Sequence, residues 1–235
     1  MTPLHASRSL RVLSLLLSYP SSFVRAHLND MREALHAERA FSLSRLAELD
    51  ALIGTLERSD ALECEAQYIE LFDRGRATSL HLFEHVHGDS RDRGPAMIDL
   101  MQTFEKTGLV LASGEMPDYL PVVLEFVSTQ PAPEARAFLG EMAHIFNAIF
   151  NALQQRKSPY ASALGALLEL AGERAHAVDI PPDEPLDFTW EEPIVFDGCS
   201  SKGQNKPDQV QPVHFVKTHT ERTDAKRAAH QGDGS

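Results

Sequence analysis

The chain has 235 residues, with 34 acidic against 22 basic side chains and a formal charge of −12. That length suffices for one large domain with its own core, or one domain and a tail. The acidic balance argues against a general affinity for nucleic acid or anionic lipid, both of which need basic surface; it suits a basic partner, or simply solubility. Cys64 and Cys199 are far apart and make neither a disulfide framework nor a zinc set, which fits a reducing compartment.

The first apolar run, residues 10–17, is broken by Arg11 and Ser14, and no small-residue cleavage site follows. It therefore reads as an amphipathic helix facing inward with Leu10, Leu13, Leu16 and Leu17, stopped by Pro20, and not as a signal peptide. Val24, Leu28, Met31 and Leu35 make the next stripe. Leu43, Leu46, Leu49, Ile53 and Leu56 follow, with Ser42 placed to cap their helix. Another helix is predicted from Asp60, with Glu63 completing a capping box and Leu62, Ala66, Ile69 and Phe72 turned inward.

After a polar segment, Pro95 sits near a helix start, and Met97, Met101 and Phe104 repeat before Gly108. Phe138, Met142, Ile145, Ile149 and Leu153 form the cleanest stripe, broad enough for a central, largely buried helix. Ser158 and Pro159 then open a last helix, closed by Gly172. Strand-like alternation is essentially absent and no apolar run approaches a membrane span. The expectation is an all-α chain: one helical bundle over residues 1–177, then a Pro-, Gly- and charge-rich, mostly disordered tail over 178–235. Trp190, Ile194, Val195 and Phe196 make a short apolar island at 190–196, either a patch resting on the body or a docking segment.

Residues 68–97, YIELFDRGRATSLHLFEHVHGDSRDRGPAM, gather most of the chemistry. Two Asp-Arg-Gly steps bracket the segment, each with a glycine where the backbone can turn. Arg74, Arg76, Arg91 and Arg93 are expected to pair with Asp73, Asp89, Asp92 or helix C-termini and to fix an inter-helix loop. A phosphate is the competing ligand for these arginines, but no glycine-rich cradle accompanies them. His81-Leu82-Phe83-Glu84-His85 matches H-x-x-E-H, a zinc peptidase pattern with Glu84 as general base, yet nothing ties a third ligand to it. The alternative is a helix whose histidines flank a core contact made by Leu82 and Phe83. No serine or cysteine nucleophile has a base placed beside it, so no catalytic residue, metal or cofactor is expected. In Glu115-Met116-Pro117-Asp118-Tyr119-Leu120-Pro121, an acid on each side of Pro117 is expected to face solvent or a cleft.

The 68–97 segment closely resembles the signature of the NarJ family of respiratory nitrate reductase assembly chaperones, related to TorD and DmsD. The resemblance spans the helical body and returns at Trp190-Glu191-Glu192. Residues 115–119 are similar to the family's E-x-P-D-H motif in its hinge and peptide-binding region, with Tyr119 where histidine is common. The resemblance implies a TorD/NarJ-type bundle in the cytoplasm, without enzymatic activity. It further implies binding to the apo alpha subunit of nitrate reductase, N-terminal peptide included, while the molybdenum cofactor is inserted before membrane docking. Molybdenum cofactor delivery proteins are compatible partners; nucleic acid is not, nor is stable membrane insertion. Glu115, Asp118 and Tyr119 would line a peptide groove, with Arg76, Phe83 and His85 contributing from the signature segment. The alternative reading is a maturation chaperone for another molybdoenzyme, served as by TorD or DmsD.

Overall fold

The computed structural model describes residues 6–88 and 90–178. The expectations placed on residues 179–235, including the 190–196 island and Cys199, lie outside them. Among the described residues all regular elements are helical, joined by one isolated antiparallel bridge.

Helix α1 (Ser7–Leu17) buries the four predicted leucines. Next come α2 (Ser22–Ala26) and α3 (Leu28–Glu38), parted at His27, so the predicted stripe of Val24, Leu28, Met31 and Leu35 is buried but divided between two helices. Helix α4 (Leu43–Arg58) starts where Ser42 accepts the Arg45 N–H at 3.3 Å. It turns Leu46, Leu49, Ile53 and Leu56 inward and leaves Leu43 exposed.

The Asp60 carboxylate accepts the Leu62 N–H at 2.9 Å and starts α5 (Ala61–Tyr68). Its inward residues are Cys64 and Tyr68; Leu62 and Ala66 are exposed, against the sequence expectation. The reason lies downstream, in the π turn Ile69–Asp73, where the Arg74 N–H reaches back to the Ile69 carbonyl at 3.1 Å. Such a turn is wider than an α-turn, so residues four apart stay in phase and the face that holds Phe72 continues upstream through Tyr68 and Cys64.

A 3-10 turn (Arg76–Thr78) and the short α6 (Leu82–Val86) precede α7 (Arg93–Lys106). Then follow α8 (Leu120–Thr129), α9 (Ala132–Glu141), α10 (Ala143–Gln155) and α11 (Ala161–Ala171). The stripe from Phe138 to Leu153 is broken at Met142, which ends α9 and starts α10. The most deeply buried helix is instead α11, with ten of its eleven residues buried. Its small residues, Ala163, Gly165 and Ala166 among them, let α4, α9 and α10 close around it.

Helices α1 and α8 form the other closely packed pair. Ser14 donates to the Pro121 carbonyl at 2.8 Å and Ser7 to the Ser128 carbonyl at 2.6 Å, so the hydroxyls of α1 satisfy backbone oxygens of its neighbour.

Candidate functional site

The two motifs singled out in the sequence meet in space. The Leu82 N–H donates to the Asp118 carbonyl at 3.0 Å and the Leu120 N–H to the Leu80 carbonyl at 2.8 Å, pairing His81 with Tyr119 in an antiparallel bridge. The Asp118 side chain, 0% exposed, closes the junction. One carboxylate oxygen accepts the Phe83 N–H at 3.2 Å; the other faces His81 Nδ1 at 3.3 Å. Asp118 thereby caps the N-terminus of α6 from a distant segment, since His81 makes no side-chain cap itself. Arg93, at the start of α7, lies 3.8 Å from Asp118 and 3.5 Å from Glu84. The hydrogen bond to Asp118 raises the His81 pKa against the opposing effect of burial.

A second bond series fixes the other face of the bridge. Tyr68 donates its hydroxyl to the Leu17 carbonyl at 2.9 Å and accepts from the Tyr119 hydroxyl at 2.9 Å. Burial pushes the pKa of both phenols up, so both stay neutral donors. The Tyr68 ring sits 4.8 Å from Phe72 and 6.3 Å from Tyr160, and the Tyr119 ring lies 5.3 Å from that of His81. His85 Nε2 meets the Ser79 carbonyl at 2.8 Å, which makes Nε2 the protonated nitrogen. The turn into this region needs glycine at position 75. A Cβ there would stand 2.7 Å from the Leu71 carbonyl oxygen and collide with the Thr78 hydroxyl and the Arg156 guanidinium.

Several expectations change here. Asp118 does not face solvent or a cleft: it is consumed by the junction, because a buried carboxylate must have its acceptor sites filled. Arg93 finds Glu84 and Asp118, and Arg74 finds Glu70 at 3.1 Å, where Asp73, Asp89 or Asp92 had been expected. His81 lies outside α6, and His81, Glu84 and His85 are committed to separate protein partners. Among the described residues no group of three or more metal-ligating side chains gathers anywhere. Phe83 and His85 are half-buried beside the junction and Arg76 is exposed, whereas Glu115 belongs elsewhere.

Glu115 lines an apolar groove of about 400 Å³. Leu15 of α1 and Val122 and Phe126 of α8 form one side, and Phe104 of α7 with Leu109, Val110 and Leu111 forms the other. Phe104 and Phe126 stack at 4.5 Å, and Val110 is 84% exposed. Glu115, Glu125 and Arg11 supply charge at the rim. Sequence periodicity missed this groove, because Leu109, Val110 and Leu111 belong to no helix. The available signal was a run of three apolar residues between Gly108 and Gly114, which no periodic core explains.

Residues 23–165 match the model of the nitrate reductase delta subunit family. The chain is 42% identical over 191 residues to the nitrate reductase molybdenum cofactor assembly chaperone NarJ of Escherichia coli strain K12, covering 77% of this chain and 81% of that one. The chain belongs to the nitrate reductase delta subunit family. Within that family, NarW of the same strain is 36% identical over 193 residues, 78% of this chain and 80% of its own length. A crystal structure from Archaeoglobus fulgidus, assigned to the redox enzyme maturation proteins, superposes with a TM-score of 0.54 at 20% identity. It covers 74% of this chain and 98% of that one, and shows the shared all-α fold. Like these relatives, the chain is a chaperone and not an enzyme. Among the described residues no helix is long and apolar enough to cross a membrane.

Proposed function

We propose that the chain is a cytoplasmic, system-specific chaperone for a respiratory nitrate reductase. It binds the apo catalytic alpha subunit, N-terminal peptide included, and keeps it competent for molybdenum cofactor insertion before membrane docking. One observation carries this reading: identity of 42% to the E. coli assembly chaperone, over most of both chains. The groove supports it physically. Its apolar walls suit the hydrophobic face of an amphipathic peptide, and Glu115 and Glu125 suit cations beside that face.

In this reading Glu115 touches the peptide. Tyr119, Asp118 and His85 are positioning residues that hold the segment between the signature and α8, while Phe83 and Arg76 meet the client from the adjoining surface. Glu115→Lys with Glu125→Lys should weaken binding of the alpha-subunit N-terminal peptide by roughly tenfold at low salt and less at high salt. Unchanged affinity by calorimetry removes both residues from the site. The chaperone reading itself is tested by co-purification with the tagged chain: the apo alpha subunit is the expected catch. Capture of a different molybdoenzyme in its place would make this a TorD- or DmsD-like chaperone.

A further inference from the structure

We propose that α7 is a hinged strap over the apolar groove, latched shut through Arg93. Of its fourteen residues only Phe104 is buried, and Ile98 is 51% exposed. Such a helix draws little stability from tertiary packing, which is where short helices get most of theirs. Its start is also poorly supported from within. The first helical residue is a cation, Arg93; no acid occupies the first turn, and Asp92 makes no side-chain cap. A positive side chain at the positive end of the helix dipole is unfavourable, so the tertiary ion pairs to Glu84 and Asp118 hold that end down.

The other end is built to move as a unit with the groove wall. Gly108, at φ 84°, closes α7: its N–H reaches the Glu105 carbonyl at 2.9 Å and the Leu109 N–H reaches the Phe104 carbonyl at 3.2 Å. This double bond pattern ties Leu109 to Phe104, and both line the groove. Left-handed glycines outside the unit, Gly88 before it and Gly114 after it, supply bends with open space around them.

Opening leaves no bare buried charge. When Arg93 withdraws, Asp118 keeps His81 and the Phe83 N–H. The Glu84 arm of the latch is partly exposed, so that ion pair is weak enough to break and reform readily; the arm to the buried Asp118 is the longer one, at 3.8 Å. The physical need for opening comes from size. A groove of about 400 Å³ accepts a few side chains, whereas a peptide helix is roughly 10–12 Å across. Swinging α7 out widens the groove and bares Leu15, Val122 and Phe126.

The inference rests on the groove being the docking surface proposed above, so its test uses no client and the two can fail separately. Hydrogen–deuterium exchange on the full chain should show residues 93–114 exchanging faster than α1, α8 and α11. Arg93→Gln should raise exchange in 93–114 about fivefold with α1, α8 and α11 unchanged, and should increase fluorescence of the apolar dye anilinonaphthalene sulfonate. Arg93→Lys, which keeps the charge, should restore much of the protection. Unchanged exchange in 93–114, or an equal rise throughout the bundle, overturns the strap. Should Arg93→Gln fold poorly, Glu84→Gln removes half of the latch and must give the same local pattern at smaller amplitude.

Discussion

Helix α11, with eleven residues, buries ten of them, while α7, with fourteen, buries one. Both read in the sequence as amphipathic segments closed by a glycine, and they do opposite work. In α11 the alternation of leucines with Ala163, Gly165 and Ala166 allows neighbours on every side, so its apolar surface drives folding. In α7 the apolar residues are spread thinly and the helix ends on a wall of the groove. Elements that admit a ligand come from the weakly held part of a fold, because moving a core helix would forfeit the burial that holds the protein together.

The largest expected effect is in the core helix. Leu167→Ala, at a fully buried site, should lower unfolding stability by about 2–5 kcal/mol in urea titration. Ile98→Ala in α7 should change it by no more than about 0.5 kcal/mol. Comparable losses at the two sites would erase the contrast.

An intermediate effect belongs to the junction between signature and second motif. Asp118→Ala should cost about 3 kcal/mol, since it strands His81, the Phe83 N–H and Arg93 together. A fully stable variant that loses only client binding would return Asp118 to the groove rim.

The smallest effect is a pH dependence. His81 has a folded pKa raised above its unfolded value of about 6.5 by the Asp118 hydrogen bond. Its contribution is therefore full below pH 6.5 and lost as pH rises through the raised value. His81→Gln should be less stable than the parent near pH 6, and the gap should close toward pH 9. A gap that widens with pH would mean the imidazole acts in its neutral form.

The helices were legible in sequence wherever a local signal set them. Ser42 and Asp60 cap α4 and α5 as expected, although the Glu63 carboxylate accepts from Gln67 in place of the expected capping box, and the glycines at 108 and 172 close α7 and α11. Phase was harder to read where the chain changes pitch. The π turn moved the inward face of α5 from Leu62 to Cys64, and Met142 divided what looked like one long helix. No proline announces either event, and the nearby glycines, Gly75 beyond the π turn and Gly140 inside α9, do not sit at the break itself.

The two informative motifs could be found in sequence, but not their meeting. Thirty-seven residues separate His81 from Asp118, and nothing local says that the carboxylate caps α6 while Tyr119 reaches Tyr68. Sequence by itself determined the all-α class, the helix ends that carry a cap, proline or glycine, and the family, because caps, periodicity and a dense signature are properties of neighbouring residues. Tertiary structure alone decided that Asp118 is buried, that Glu115 borders an apolar groove, and that α7 buries only Phe104. Burial and charge pairing are set by which distant segments meet, and that depends on how all the apolar faces pack at once.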